Sequence, residues 1–122
     1  IADIINKIKP PFNTTTISQL LAIKSLEDQE HILNSVKLNS EIKKWFEKEL
    51  KLLNITTRET EGNFTLIETS IEQAEEISNH LLNDGIIIRR LDSYNLPNFL
   101  RISIGTKEEM NITVESLKKL NV

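Results

Sequence analysis

Arg89 and Arg101 are the residues whose types and spacing most directly suggest chemistry. Between them run Leu91 to Asn98, with the turn-prone pairs Tyr94-Asn95 and Leu96-Pro97, so the flanking segments read as two arms of a hairpin. A midpoint near Asn95 sets Arg89 opposite Arg101 on one face, where like charges destabilise the pairing unless an anion or a carboxylate lies between them. Guanidinium forks bind carboxylate and phosphate in bidentate fashion, so such a pair can act as an anion clamp. The competing reading is two surface arginines, each paired with a local acid such as Asp92 or Glu68.

Other groups carry less. His31 and His80 are far apart in a chain without cysteine, which argues against a structural metal site and for solvated helix positions. Glu72, Glu75 and Glu76 fall in the first turns of an expected helix, where acids meet the positive end of its dipole. The formal charge of -3 argues against broad phosphate-backbone binding, which needs a basic stripe, so nucleic acid is not an expected partner. No apolar run reaches the ~18 residues of a membrane span, and the first residues do not read as a charged leader followed by an apolar stretch. The cytoplasm is the expected location. A chain of 122 residues, 39% hydrophobic and 27% charged, suits one soluble globular domain. It starts at Ile1 rather than Met, which reads as part of a longer polypeptide.

The elements that must position the arginines follow from periodicity. Lys9-Pro10-Pro11-Phe12-Asn13 forces extended backbone, so residues 1–13 read as a helix end and connector and residues 14–122 as a small domain. Thr16-Ile17-Ser18-Gln19 matches a capping box and opens a first helix through Leu20, Leu21 and Ile23. Ile32, Val36, Ile42, Trp45, Phe46, Leu50 and Leu53 recur at three- and four-residue spacings and predict a long amphipathic helix over about 29–53. Residues 55–59 and 63–68, separated at Glu61-Gly62, read as two strands. Ser70-Ile71-Glu72-Gln73 caps a third helix ending at Asp84-Gly85. Ile86-Ile87-Ile88 then suits a strand covered on both faces and closed by Arg89. Leu100, Ile102 and Ile104 alternate with Arg101 and Ser103, which turns Arg101 away from the core. Thr106-Lys107-Glu108-Glu109 caps a last helix striped with Met110, Val114, Leu117 and Leu120. The order α-α-β-β-α-β-β-α predicts an α+β fold: a two-layer domain, its small, largely antiparallel sheet carrying helices on one face.

Ordered pieces along nearly the whole chain resemble the last third of histidinol-phosphate aminotransferases, within the fold-type I pyridoxal-phosphate enzymes. These pieces are Ile8 to Asn13, Gln19 to Leu26, Asn63-Phe64, Asp84 to Arg89, Ser93-Tyr94, Leu96-Pro97 and Leu100 to Thr106. The resemblance implies the C-terminal small domain of such an enzyme. Arg101 then corresponds to the arginine that meets the phosphate of histidinol phosphate and, in the other half-reaction, the carboxylate of glutamate. Arg89 matches its companion and Asn63 a position at the edge of the site. Arg90 stands where the family usually has proline, and Asn95 where it usually has glycine, a role asparagine can fill by tolerating positive φ. The resemblance further implies that the Schiff-base lysine and the ligands of pyridoxal phosphate lie upstream, so this piece would be inactive alone. The whole enzyme would be a homodimer converting histidinol phosphate and 2-oxoglutarate to imidazole acetol phosphate and glutamate. Threonine-phosphate decarboxylases and aromatic aminotransferases resemble the same region, and a free-standing α+β anion-binding regulatory module is the alternative from another class.

Overall fold

The computed structural model describes residues 14–120, together with Ile4 and Lys7. The rest of the expected connector over 1–13 lies outside the described residues. The chain divides into two compact units, residues 1–35 and 36–122.

In the first unit, α1 (Thr16–Glu27) is capped one residue earlier than expected. Thr15, not Thr16, takes the extended cap conformation, and its Oγ1 accepts from the Ser18 N–H at 3.1 Å. The Gln19 side-chain amide donates to the Thr14 hydroxyl at 3.4 Å, so the cap bond forms one residue earlier and the reciprocal bond of the expected box does not. Helix α2 (Gln29–Leu52) starts in this unit and continues into the second.

The second unit holds the core. Its elements are the rest of α2, β1 (Thr56–Arg58), β2 (Phe64–Glu68), α3 (Ile71–Asn83), β3 (Arg89–Leu91), β4 (Leu96–Ser103) and α4 (Lys107–Lys118). A short 3-10 turn, Asp92–Tyr94, joins β3 to β4. The strands form one four-stranded antiparallel sheet in the order β1-β2-β4-β3, and the element order agrees with the sequence. Ile42, Phe46 and Leu50 of α2, Ala74, Ile77 and Leu81 of α3, and Met110, Val114 and Leu117 of α4 are buried in a single cluster with Ile67, Leu100 and Ile102 of the sheet. Among the described residues the three buried polar ones are all partnered, as burial demands. Thr65 Oγ1 donates to Glu47 (3.2 Å), Thr113 Oγ1 to the Glu109 carbonyl (3.0 Å) and Ser116 Oγ to Asp84 (2.8 Å).

Helix termini carry much of the local specification. Ser70 and Thr106 form full capping boxes with Gln73 and Glu109. At the other ends, α2 and α3 both close in Schellman motifs. After α2, Ile55 N–H donates to Leu50 O and Asn54 N–H to Lys51 O, with Asn54 at φ 59°. After α3, Ile86 N–H donates to Leu81 O and Gly85 N–H to Leu82 O, with Gly85 at φ 80°.

The second of these motifs corrects one expectation. Ile86-Ile87-Ile88 is not a strand: the Ile86 N–H is consumed by the helix terminus, and pairing starts only at Arg89. Arg89 therefore opens β3 instead of closing it. The three isoleucines lie before β3, an edge strand, and they are not covered all round: Ile87 is 85% exposed. Ile86 and Ile88 still pack against the core.

Candidate functional site

Parity along the strands sorts the sheet into two faces. Thr65, Ile67, Leu100 and Ile102 face the helices and are buried; Phe64, Leu66, Phe99 and Arg101 are half-buried on the other face. Within the 36–122 unit the helices direct their buried residues into the one core cluster, which leaves the Arg101 face without helical cover from this unit.

Arg89 pairs directly with Arg101 in the antiparallel register of β3 and β4. The turn between them pairs Leu91 with Leu96, and a register shift between Arg90 and Leu91 separates that pair from Arg89 and Arg101. The turn closes with the Asn95 N–H donating to the Asp92 carbonyl at 3.0 Å, and Asn95 takes the left-handed conformation at φ 59°. Arg89 is exposed. Arg101 is half-buried, its Nε is buried without a hydrogen-bond partner, and its Cζ lies 5.5 Å from the centroid of the Phe64 ring.

The acids that could neutralise this pair are engaged elsewhere. Asp92 accepts two hydrogen bonds from Arg90, at 3.0 Å from Nε and 2.8 Å from Nη2. These bonds raise the Arg90 pKa and lower that of Asp92. Glu75 of α3 adds a looser contact to Arg90 at 3.8 Å. Glu68 is held by Arg58 of β1 at 2.5 Å. Neither Arg89 nor Arg101 has a carboxylate within ion-pair distance among the described residues. Two cations opposed across a strand pair without an acid between them are electrostatically suited to a bound anion.

Asn63 stands one residue before β2, exposed, with its carbonyl accepting from the Ile104 N–H at 2.8 Å. Register places it beyond Ser103, the last residue of β4, on the far side of that residue from Arg101. Sequence periodicity did not reveal the Phe64 contact to Arg101 or the Arg90–Glu75 contact. A partial signal for the first was available, since Phe64 and Arg101 share a sheet face once β2 and β4 are known to pair.

His80 is not a purely solvated residue. Its side chain is 25% exposed, and Nε2–H donates to the Ser116 carbonyl at 3.0 Å, 3.9 Å from Asp84 Oδ2. Asp84 also accepts from Ser116 Oγ and, at 2.9 Å, from Lys119 Nζ; the Lys119 and Ser116 hydrogen bonds hold its pKa below the usual carboxylate range. His31 is exposed, and no metal-binding cluster occurs among the described residues. No helix among the described residues is long and apolar enough to cross a membrane.

The fold and its arginine-bearing sheet face define an α+β domain that carries cationic side chains on one side of an antiparallel sheet. The chain belongs to the aminotransferase class I and II family, whose model matches residues 1–117. Among its relatives, histidinol-phosphate aminotransferase 1 of Psychrobacter arcticus is 32% identical over 98% of this chain and 33% of its own length. The enzyme of the same name from Idiomarina loihiensis is 33% identical over 98% of this chain and 32% of its own. The chain thus spans about a third of the curated relatives it matches. The structure of histidinol-phosphate aminotransferase from Sinorhizobium meliloti, in complex with pyridoxal-5'-phosphate, superposes with a TM-score of 0.79. It does so at 22% identity, over 97% of this chain and 34% of that one, a likeness of fold.

Proposed function

We propose that residues 14–122 are the small C-terminal domain of a histidinol-phosphate aminotransferase and residues 1–13 its interdomain connector. The whole enzyme is then a cytoplasmic homodimer that uses pyridoxal phosphate to exchange the amino group between histidinol phosphate and 2-oxoglutarate. The supporting observation is the arginine pair: Arg89 opposite Arg101, the nearby acids engaged elsewhere, and Arg101 Nε buried without a partner. Arg101 binds the phosphate of one substrate and the carboxylate of the other, Arg89 adds a second positive charge, and Asn63 lies at the rim. Pyridoxal phosphate supplies the electron sink when bound. The described residues do not fit an imine-forming site, because no lysine among them is buried. Lys43 donates to the Thr60 carbonyl, and Lys107 lies over the Trp45 ring. On this reading the catalytic lysine and the cofactor's ligands lie upstream in the whole enzyme, and the 122 residues alone should not transaminate histidinol phosphate.

The test is a paired one on the same substitutions. In the full-length enzyme, Arg101→Ala should lower kcat/KM by about 1.5–3 kcal/mol in transition-state terms, the range for a charge-assisted contact. Arg101→Lys should also be impaired, since an ammonium lacks the planar fork. In unfolding of the 122-residue chain, Arg101→Ala should stay within ~0.5 kcal/mol of the parent, whereas Ile102→Ala should cost roughly 2–5 kcal/mol by opening a cavity. Unchanged turnover with a destabilised domain would make Arg101 a structural residue. Turnover of threonine phosphate or of aromatic amino acids in preference to histidinol phosphate would move the assignment to those relatives.

A further inference from the structure

Arg101 has to hold a long, flexible side chain in one orientation on a face that offers its Nε no hydrogen-bond acceptor. What it does have is an aromatic surface, the Phe64 ring, 5.5 Å from Cζ to centroid, within the range where a guanidinium is attracted to a ring face. The contact is diagonal across β2 and β4, since Phe64 pairs with Ser103 and Arg101 with Leu66. The Phe64 backbone is itself tied down, its carbonyl accepting from Thr60 Oγ1 at 2.6 Å.

The ring's position also depends on Gly62. A Cβ at residue 62 would lie 2.6 Å from Phe64 Cε1 and 2.9 Å from Cδ1, closer than carbon atoms approach without one moving. The backbone at Gly62 is not left-handed; Gly85 alone among the glycines has positive φ. Glycine at 62 is therefore explained by space for the ring and not by backbone strain.

We propose that Phe64, seated in the space Gly62 leaves, is a positioning residue that orients the Arg101 guanidinium for its anion. This rests on the reading of Arg101 as an anion-binding residue and assigns that site a second, aromatic component. Phe64 touches no anion; it acts by restricting the guanidinium before the anion arrives, which lowers the ordering cost of binding.

The experiment is an NMR titration of the 122-residue chain, carrying isotope-labelled arginine, with inorganic phosphate. In the parent, the Arg101 side-chain protons should be shifted upfield by the Phe64 ring current, and phosphate should perturb the Arg101 Nε–H. Phe64→Leu should abolish the ring-current shift and weaken phosphate binding by about two- to fivefold, the contact's worth at a partly exposed site. Phe64→Tyr should restore both. Gly62→Ala should move the ring and weaken binding with Phe64 still present, and it decides the question if Phe64→Leu does not fold. Undiminished phosphate binding in both Phe64→Leu and Gly62→Ala would overturn the positioning role while leaving the anion site standing. A normal ring-current shift with no response of Arg101 to phosphate in the parent would overturn the anion site itself, and the positioning role with it.

Discussion

At the scale of single residues, charge placement separates two kinds of cation on this domain. Arg90 and Arg58 are consumed by Asp92 and Glu68, and Lys119 by Asp84, whereas Arg89 and Arg101 keep their charge without an acid among the described residues. Asp84 allows a test by pH. Its hydrogen bonds from Lys119 and Ser116 lower its folded pKa, while in the unfolded chain it titrates near the ordinary value of about 3.9. A group with a depressed folded pKa contributes stability that is complete above its unfolded value and is lost as pH falls through the folded one. Asp84→Asn should therefore be less stable than the parent near neutral pH. The difference should shrink as pH falls through and below the ordinary aspartate range, as read by urea unfolding across a pH series. A constant gap at all pH values would mean that the contact acts through packing and not through ionisation.

At the scale of elements, each helix of the second unit is delimited by chemistry confined to a few residues. Ser70 and Thr106 satisfy backbone N–H groups that would otherwise be orphaned. Each cap replaced by alanine should cost about 0.5–2 kcal/mol, measured by denaturant unfolding, with the two losses additive because α3 and α4 carry separate caps. The helix ends matter for the site as well. The Schellman motif after α3 takes the Ile86 N–H out of any ladder, and β3 is thereby limited to Arg89–Leu91. The turn at Asn95 pairs Leu91 with Leu96, and the register shift between Arg90 and Leu91 then brings Arg89 level with Arg101.

At the scale of the whole molecule, the two compact units differ in what holds them. The 36–122 unit is organised around Phe46, Leu50, Ile67, Ile77, Leu81, Leu100 and Leu117, all essentially inaccessible to solvent. In the other unit α1 buries no residue: Ile17, Leu20, Leu21, Ile23 and Leu26 are each more than half exposed. Phe46→Ala should accordingly cost about 3–5 kcal/mol. Leu21→Ser, at an exposed position, should remain within ~0.5 kcal/mol when both are followed by thermal unfolding of the core. A large loss from Leu21→Ser would show that α1 is integral to the core's stability.

The sequence by itself determined what is decided within a few residues. The capping boxes at Ser70 and Thr106, the long helix ending at Leu52 and the left-handed Asn95 follow from hydrogen bonds and periodicities that close within one or two turns. The Arg89–Arg101 pairing was expected from a hairpin midpoint near Asn95, but the turn alone pairs Leu91 with Leu96, and a register shift between Arg90 and Leu91, which no local pattern announces, sets Arg89 opposite Arg101. Even here a neighbouring hydroxyl could substitute, and Thr15 caps α1 where Thr16 was expected. Only the tertiary structure decided that β2 pairs with β4 across the intervening α3, giving the order β1-β2-β4-β3. That pairing brings Phe64 beneath Arg101, and the packing of α3 brings Glu75 to Arg90. The tertiary structure likewise decided that Ile86 and Ile88 pack against the core while Ile87, in the segment before β3, stays in solvent despite its apolar side chain. A run of three isoleucines records the hydrophobicity of a segment and not its neighbours. Whether such a run is covered depends on which elements pack against its side chains, and that is settled by distant residues burying a common core.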